Sequence, residues 1–353
     1  MCNYQGGNVT GAGCRSDGRL LAALFTWASA HGARGLNHVH AAYFWKHGRR
    51  IRGLAANSNL TDGRQIFAVP EQLILRPGHP KVAESPFGTV TSWFDRLGPT
   101  RLILYLAAQR RALQNGHQSF WEPWLRCLPT AEELALDHPV YADEQLLMSF
   151  AVLPIIQYLD VLRFYITEAW KQHAPIWITL AEQCGAHNMD FEDWRWAFVV
   201  AQARSFSADG LPGGGPALVP VADLANAASH FGQRSLTWAW VQTPDTSTHG
   251  SDAPVAGKVW WQVAKATRSI HDGAELLQHY GNNTNAHFLA IYGFMQATNP
   301  LMLPQLNATS CRYLRRLAAV DIHGAAQPQQ LEALQFLAQD HCRGLWAIVN
   351  QLV

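Results

Sequence analysis

Gly273-Ala274-Glu275, then Tyr280-Gly281, then Asn285-Ala286-His287-Phe288, then Tyr292-Gly293-Phe294 fill the stretch 273–294. Leu276–Tyr280 reads as a strand that ends on a tyrosine, and Gly281 lets the backbone turn away at once. Tyr292 follows a segment with the pattern of a short helix. A single tyrosine beside a turn is more often a packed aromatic than a functional group. Here it sits in a Tyr-Gly-x-x-x-Asn pattern, and three further blocks precede it in the chain. Residues 194–226 carry Trp194-Arg195-Trp196-Ala197, Ala203-Arg204-Ser205-Phe206 and Val219-Pro220-Val221-Ala222-Asp223-Leu224-Ala225-Asn226. Residues 119–129 read Ser119-Phe120-Trp121-Glu122-Pro123-Trp124-Leu125, then Leu128-Pro129. Residues 53–70 read Gly53-Leu54-Ala55-Ala56, Asp62-Gly63, Ile66 and Val69-Pro70.

The chain between these blocks changes character twice. Residues 1–17 are rich in Gly, Asn and Ser and are expected to fray. Leu20, Leu21, Leu24, Phe25 and Ala28 have helical spacing, stopped by Gly32. His38–Trp45, Gly53–Ala56 and Gln65–Val69 read as strands. Thr100–Gln114, Glu144–Ala174 and Phe191–Ala203 read as helices, with Pro154 expected to kink or break the second. Strand character returns after Gly213–Pro216: Leu236, Trp238 and Trp240 alternate, and Val259–Ala264 and Leu276–Tyr280 follow. Residues beyond Leu306 look helical again. This order excludes a regular βαβ array, and with it a dinucleotide-binding or (β/α)8 fold.

Composition narrows the function. The 353 residues are 48% hydrophobic and 15% charged, which excludes a disordered chain or a coiled coil. At roughly 150 residues per domain, about two domains are expected. The formal net charge of +1 leaves no broad electrostatic footprint for nucleic acid. The six cysteines form no CxxC pair, so neither a cysteine-rich zinc site nor a disulfide scaffold is expected. No apolar run is long enough for a membrane span, and the N-terminus lacks a secretory h-region. A soluble intracellular protein is expected, in the cytoplasm, with chloroplast and nucleus as alternatives. Gly213-Gly214-Gly215 lacks the Lys-Ser/Thr of a phosphate loop and reads as a surface turn. There is no GxSxG elbow and no HExxH, and His38 and His40 lack a ligating neighbour. Glu132/Glu133 and Asp143/Glu144 sit where acids favour a helix start. Asp223 alone reads as a helix N-cap, and Arg204 alone as a charge at a helix C-terminus.

Taken together and in order, the four blocks resemble the SET-domain methyltransferases of the Rubisco large-subunit lysine methyltransferase type, which include the actin-histidine methyltransferases. The resemblance covers residues 20–300. It implies an α+β fold: a SET-type β core over 20–300, interrupted by a large helical insert at about 100–200, with a short C-terminal helical tail. That tail, 305–353, resembles the start of the family's helical substrate-binding region, short or truncated here. The implied activity is methyl transfer from S-adenosyl-L-methionine to a protein substrate, without nucleic acid, membrane or structural metal. The implied cofactor contacts are Arg50, Ile51, Arg52, Gly53, Leu54, Arg204, Asp223, Asn226, Ala227, Tyr280 and Phe288. Gly53 matches a glycine that allows close approach to the cofactor. Tyr280 and Tyr292 match the catalytic tyrosines, and Phe206, Tyr292 and Phe294 the walls around the acceptor.

The chain departs from the family at three places. Ile51 stands where the first glycine of Gly-x-Gly is usual, Ala227 replaces a histidine after Asn226, and Ala208 replaces a second arginine. Ile51 and Ala227 support an alternative, a SET-like partner-binding scaffold with weak or lost activity. The acceptor is expected to be lysine. In the actin-histidine relatives a polar Asn stands two residues after the matching arginine, where it can hydrogen-bond an imidazole. Here that position is Phe206, which suits an apolar lysine stem and offers an imidazole no hydrogen bond. Acid hydrolysis of labelled protein products should therefore release methyllysine, and recovery of methylhistidine would overturn the assignment.

Overall fold

The computed structural model describes residues 12–46, 49–90, 100–142, 154–208, 211, 214–229, 231–244, 258–294 and 296. The expected helical tail, 305–353, lies outside the described residues, as do Asp143 and Glu144. The chain divides into two compact units, one of Met1–Leu128 with Ala174–His279 and one of Pro129–His173 with Tyr280–Val353.

In the first unit, the apolar spacing noted from Leu20 onward forms helix α1 (Ala12–Ala30), which starts ahead of Asp17 and buries Leu21, Leu24, Trp27 and Ala28. Strands β1 (Val39–Lys46) and β2 (Arg49–Ala56) make an antiparallel hairpin, in register from Val39↔Ala56 to Lys46↔Arg49. Strand β3 (Gln65–Pro70) buries every residue after Gln65, as a central strand does. The short helix α2 (Pro80–Ala83) precedes α3 (Thr100–Gln114), which buries Leu102 through Ala108 without interruption. A helix apolar all round belongs inside a core. After it comes α4 (Glu122–Leu125), carrying the buried Trp124.

The second unit opens with α5 (Ala131–Asp137), which Thr130 and Glu133 start with a reciprocal capping box. Helix α6 (Pro154–Glu182) belongs to that unit as far as His173 and to the first from Ala174. The expected end at Ala174 is corrected: the helix continues through Pro175. Pro154 is its first described residue, so the kink or break expected there lies outside the described residues.

Back in the first unit, Asp190 and Asp193 cap α7 (Phe191–Arg204) reciprocally. Asp193 is also held by Arg111 at 2.6 Å, and the Arg110 guanidinium covers Trp196 at 4.3 Å, joining α7 to α3. Between Thr100 and Arg204 the described residues contain helices and no strand, as the helical insert requires. Strands resume with β4 (Ser205–Ser207), β5 (Pro216–Leu218), β6 (Asn226–Ala227), β7 (Leu236–Pro244), β8 (Lys258–Ala266) and β9 (Leu277–Gln278). They pair as β3-β8-β7, β4-β5 and β6-β9, the last parallel. Single bridges Ala55↔Glu275, Leu60↔Ile270 and Leu75↔Leu218 tie these small sheets together. The expected strand Leu276–Tyr280 shrinks to two paired residues. Helix α8 (Asn285–Tyr292) in the second unit is the short helix expected before Tyr292.

One buried imidazole makes the first unit sensitive to acid. His79 caps α2: its Nδ1 accepts from the Lys81 amide at 3.1 Å, and its Nε2 donates to the Gln72 carbonyl at 3.3 Å. Only the neutral ring with its proton on Nε2 satisfies both partners. The ring is 6% exposed and lies edge-on to Trp121. Burial, aided by Arg76 and Lys81 against the Gln72 hydrogen bond, lowers its pKa to about 4. A histidine in the unfolded chain titrates near 6.5, so the unfolded state takes up the proton first as pH falls. The stability present above pH 6.5 should therefore be lost progressively down to about pH 4, by on the order of 3 kcal/mol. Denaturant titrations should show the gap between wild type and His79→Gln shrinking from pH 7 to pH 4. A gap that does not change with pH would show that His79 does not titrate there.

Candidate functional site

The segment Val219–Ala227 enters the first unit under strain. Val221, fully buried, adopts φ 71° and ψ −49°, a conformation a β-branched side chain rarely takes. The turn it starts, Ala222–Leu224, sends the Asp223 side chain inward. Asp223 does not cap a helix, which corrects the local reading of it. The Trp124 indole donates to its Oδ2 at 3.0 Å. Arg204, at the end of α7, donates from Nη1 to the Asp223 carbonyl at 3.1 Å and lies 3.7 Å from Oδ2. Oδ1 is buried with no hydrogen-bond partner. Burial raises the Asp223 pKa, opposed by Arg204, the Trp124 hydrogen bond and Arg52.

Beyond this turn, β6 runs parallel to β9, with Asn226 opposite Leu277 and Ala227 opposite Gln278. The segment leading to Tyr280 thus packs beside Asp223–Ala227, as expected, as far as Gln278. Buried Gln278 reinforces the pairing: its Nε2 donates to the Ala225 carbonyl at 2.9 Å, and its Oε1 accepts from the Trp238 indole at 2.6 Å. Asn226 reaches the other way. Its Nδ2 donates to the Arg52 carbonyl at 3.0 Å and to Glu275 Oε1 at 2.9 Å. Lys46, on β1, pairs with the same carboxylate oxygen at 2.9 Å. A Cβ on Gly53 would stand 2.5 Å from Asn226 Nδ2 and 3.1 Å from Glu275 Oε1. Any larger residue at Gly53 would have to displace Asn226 and would crowd Glu275 and Phe44.

Phe206, on β4, packs edge-on against Trp238 of β7 at 5.1 Å between centroids, and Phe67 meets the same indole at 5.7 Å. In the second unit, four of the expected site residues form one aromatic cluster. Tyr280 lies 4.9 Å from Tyr292 and 5.8 Å from Phe294, while fully buried Phe288 lies 5.8 Å from Tyr292 and 5.6 Å from Phe294. Gly281, at φ 92°, makes the turn after Tyr280. His138 holds the end of α8 by its Nε2 on the Ile291 carbonyl at 3.1 Å, and Asn285 and Gln296 exchange hydrogen bonds that close the loop after Phe294. Burial raises the pKa of the Tyr292 hydroxyl and lowers that of the neighbouring His287.

No family model matches the chain. It is 24% identical over 268 residues to an N-lysine methyltransferase setd6 of Xenopus laevis, covering 69% of this chain and 50% of that protein. Its identity to the Salmo salar protein of the same name is 23% over 295 residues, covering 78% and 57%. The chain thus spans little more than half the length of these curated relatives. Among solved structures, the SET domain of LSMT bound to methyllysine and AdoHcy matches with a TM-score of 0.64 at 16% identity, covering 94% of this chain and 91% of that one. The same domain bound to lysine and AdoHcy matches with a TM-score of 0.61 at 18% identity, covering 94% and 76%. The chain has a SET-domain fold.

Within this SET fold the remaining expected residues take varied places. Arg52 turns its guanidinium onto the Cys127 carbonyl, Ile51 pairs with Phe44, and exposed Arg50 lies over the Tyr43 ring at 4.7 Å. Leu54 is committed to the interior, its side chain fully buried and its carbonyl accepting from Leu276. Trp124, Glu275, Gln278 and Trp238 escaped assignment from the sequence, although Trp124 and Glu275 stand inside the quoted blocks. Their polar atoms act on residues remote in the chain, which no spacing rule detects. Among the described residues no group of three or more His, Cys, Asp or Glu side chains is placed to hold a metal ion. Likewise, no described helix is long and apolar enough to cross a membrane.

The Asp223 contacts carry a stability test. Arg204→Ala removes the cation from a buried carboxylate and should cost about 3 kcal/mol in denaturant unfolding. Adding Asp223→Asn removes the stranded charge and should recover part of the loss. Simple addition of the two losses would show that Arg204 does not act through Asp223.

Proposed function

We propose that the chain is an S-adenosyl-L-methionine-dependent protein methyltransferase acting on lysine. The observation that carries the reading is the placement of Asn226 and Ala227 on a strand clamped to Arg52, Gly53 and Glu275 on one side and to Gln278 on the other. Asn226, Gly53, Glu275 and Gln278 come from three of the four blocks that resemble the family, and Arg52 and Ala227 each adjoin one of them. The names of the curated relatives and the ligands in the LSMT structures support the same activity.

The residues on the first unit suit the proposed cofactor by the chemistry of their polar groups. Arg204 offers a guanidinium suited to a carboxylate, and Asn226 and Ala227 offer a fixed strand edge. When bound, S-adenosyl-L-methionine supplies an activated methyl group on a cationic sulfonium. The chain must then present a neutral amine. A lysine near pKa 10.4 is neutral in only about one molecule in 2,500 at pH 7, a cost of about 4.6 kcal/mol. An aromatic lining lowers that cost by desolvating the ammonium form. The cluster of Tyr280, Tyr292, Phe288 and Phe294 is the lining we assign to this role. The raised pKa of Tyr292 keeps its hydroxyl protonated at neutral pH, able to donate to or accept from an amine. Phe206 is assigned to the apolar stem of the acceptor. Positioning, with no covalent intermediate, supplies the acceleration.

Calorimetry with S-adenosylhomocysteine should detect binding, and labelled methyl groups should pass to protein in an extract. Failure of both would favour the scaffold reading, to which Ile51 and Ala227 already lend support. Tyr280→Phe removes one hydroxyl and leaves the ring, so folding and cofactor affinity should persist. Its kcat should fall 10- to 1,000-fold, about 1.4–4 kcal/mol of transition-state stabilisation. Tyr292→Phe should cost less, or change the number of methyl groups added. A folded Tyr280→Phe variant with full activity would remove the hydroxyl from the mechanism.

A further inference from the structure

Glu275 belongs to the Gly273-Ala274-Glu275 block, and no role has been assigned to it. Its carboxylate is 13% exposed and accepts from two donors, Lys46 Nζ at 2.9 Å and Asn226 Nδ2 at 2.9 Å. The other acceptor facing Asn226 Nδ2 is the Arg52 carbonyl at 3.0 Å. Both groups around that nitrogen are acceptors without a proton to give. An amide turned the other way would set its oxygen against two oxygens at hydrogen-bond distance, which is repulsive. The orientation of Asn226 is therefore dictated by its neighbours, and Oδ1 is turned away from Arg52 and Glu275.

We propose that Glu275 is a positioning residue for the cofactor segment: it holds Asn226 so that the side chain presents an acceptor, Oδ1, to its ligand. This rests on the cofactor reading above; the charged donor of S-adenosyl-L-methionine that would suit such an acceptor is its α-ammonium group. Three features on the page agree with the assignment. Lys46 Nζ lies 2.9 Å from Glu275 Oε1 and balances the charge of the accepting carboxylate. Gly53 supplies the space in which the two side chains meet. The backbone of Glu275 is itself fixed, by its bridge to Ala55 and by the bond from the Leu276 amide to the Leu54 carbonyl at 2.8 Å.

The test is calorimetric titration of the full chain with S-adenosylhomocysteine, which retains the ammonium group, alongside thermal melting of every variant. Glu275→Met keeps the length of the side chain and removes its acceptors, and should weaken binding about tenfold or more. Glu275→Gln can still accept from Nδ2 and should stay within about threefold of wild type. If Glu275 acts through Asn226, the pair Asn226→Ala/Glu275→Met should bind no more weakly than Asn226→Ala alone. Wild-type affinity in Glu275→Met, or additive losses in the pair, would overturn the proposal while leaving the cofactor reading intact. Absence of binding by the wild type would overturn both. Should Glu275→Met fail to fold, the wild type still decides. Its Asn226 side-chain amide protons, assigned by their loss in Asn226→Ala, should exchange slowly with solvent, and rapid exchange would overturn the proposal.

Discussion

A carboxylate with almost no exposed surface is the constraint around which the first unit is arranged. Moving an ionised Asp out of water is costly unless partners surround it, and removing one partner from such a group is worse than never burying it. Asp223 meets that demand with groups from two distant parts of the chain. Trp124 comes from the 119–129 segment, and Arg204 from the last residue of α7. The Val219–Ala227 segment is thereby anchored to the helical insert at both ends of it. The strained backbone at Val221 stands at the start of the turn that aims Asp223 inward.

From that anchor the ordering spreads by side-chain amides. Gln278 spends both ends of its amide, one on the Ala225 carbonyl and one on the Trp238 indole, and Trp238 in turn packs against Phe67 and Phe206. Asn226 spends its nitrogen on Arg52 and Glu275. A short parallel pair of strands would have little stability by itself. Bracketed by two amides and a buried ion pair, it becomes a rigid edge. Rigidity of that kind is what catalysis by positioning asks of a scaffold.

The sequence was informative where the physics is local. Hydrophobic spacing located α1, and the alternation of Leu236, Trp238 and Trp240 located β7, because each depends on neighbours within a turn or a pleat. It was misleading where a local motif has a distant use. Asp223 stands where an N-cap would stand, yet its partners are Trp124 and Arg204, and only the folded chain brings them near. Pro175 reads as a helix end, but α6 carries it through. The aromatic residues of 280–294 were legible as a group because α8 and the turn at Gly281 bring them together over a few residues. Glu275, Gln278 and Trp238 were not, since their contacts join strands far apart in the chain. Gly53 was singled out for the close approach of a cofactor, whereas the groups that approach it in the structure are the side chains of Asn226, Glu275 and Phe44.

The same contacts bear on what the substitution at Ala227 means. Where relatives carry histidine after the asparagine, this chain has a methyl group, and loss of the segment's geometry would be one consequence to expect. The segment, however, is located by other atoms. Ala227 is held opposite Gln278 by the strand pairing, and the Ala228 amide donates to the Gln278 carbonyl at 2.8 Å. Asn226 and Ala225 are held by Glu275 and by Gln278. None of these contacts passes through the side chain at 227. On the proposed cofactor reading, alanine in place of histidine removes a wall without moving the floor, and its effect falls on how tightly the ligand is enclosed. Ile51 is a comparable case: it keeps its register opposite Phe44, and Gly53, where a larger residue would have to displace Asn226, is retained. Both departures leave the framework that Asp223 and Asn226 establish in place.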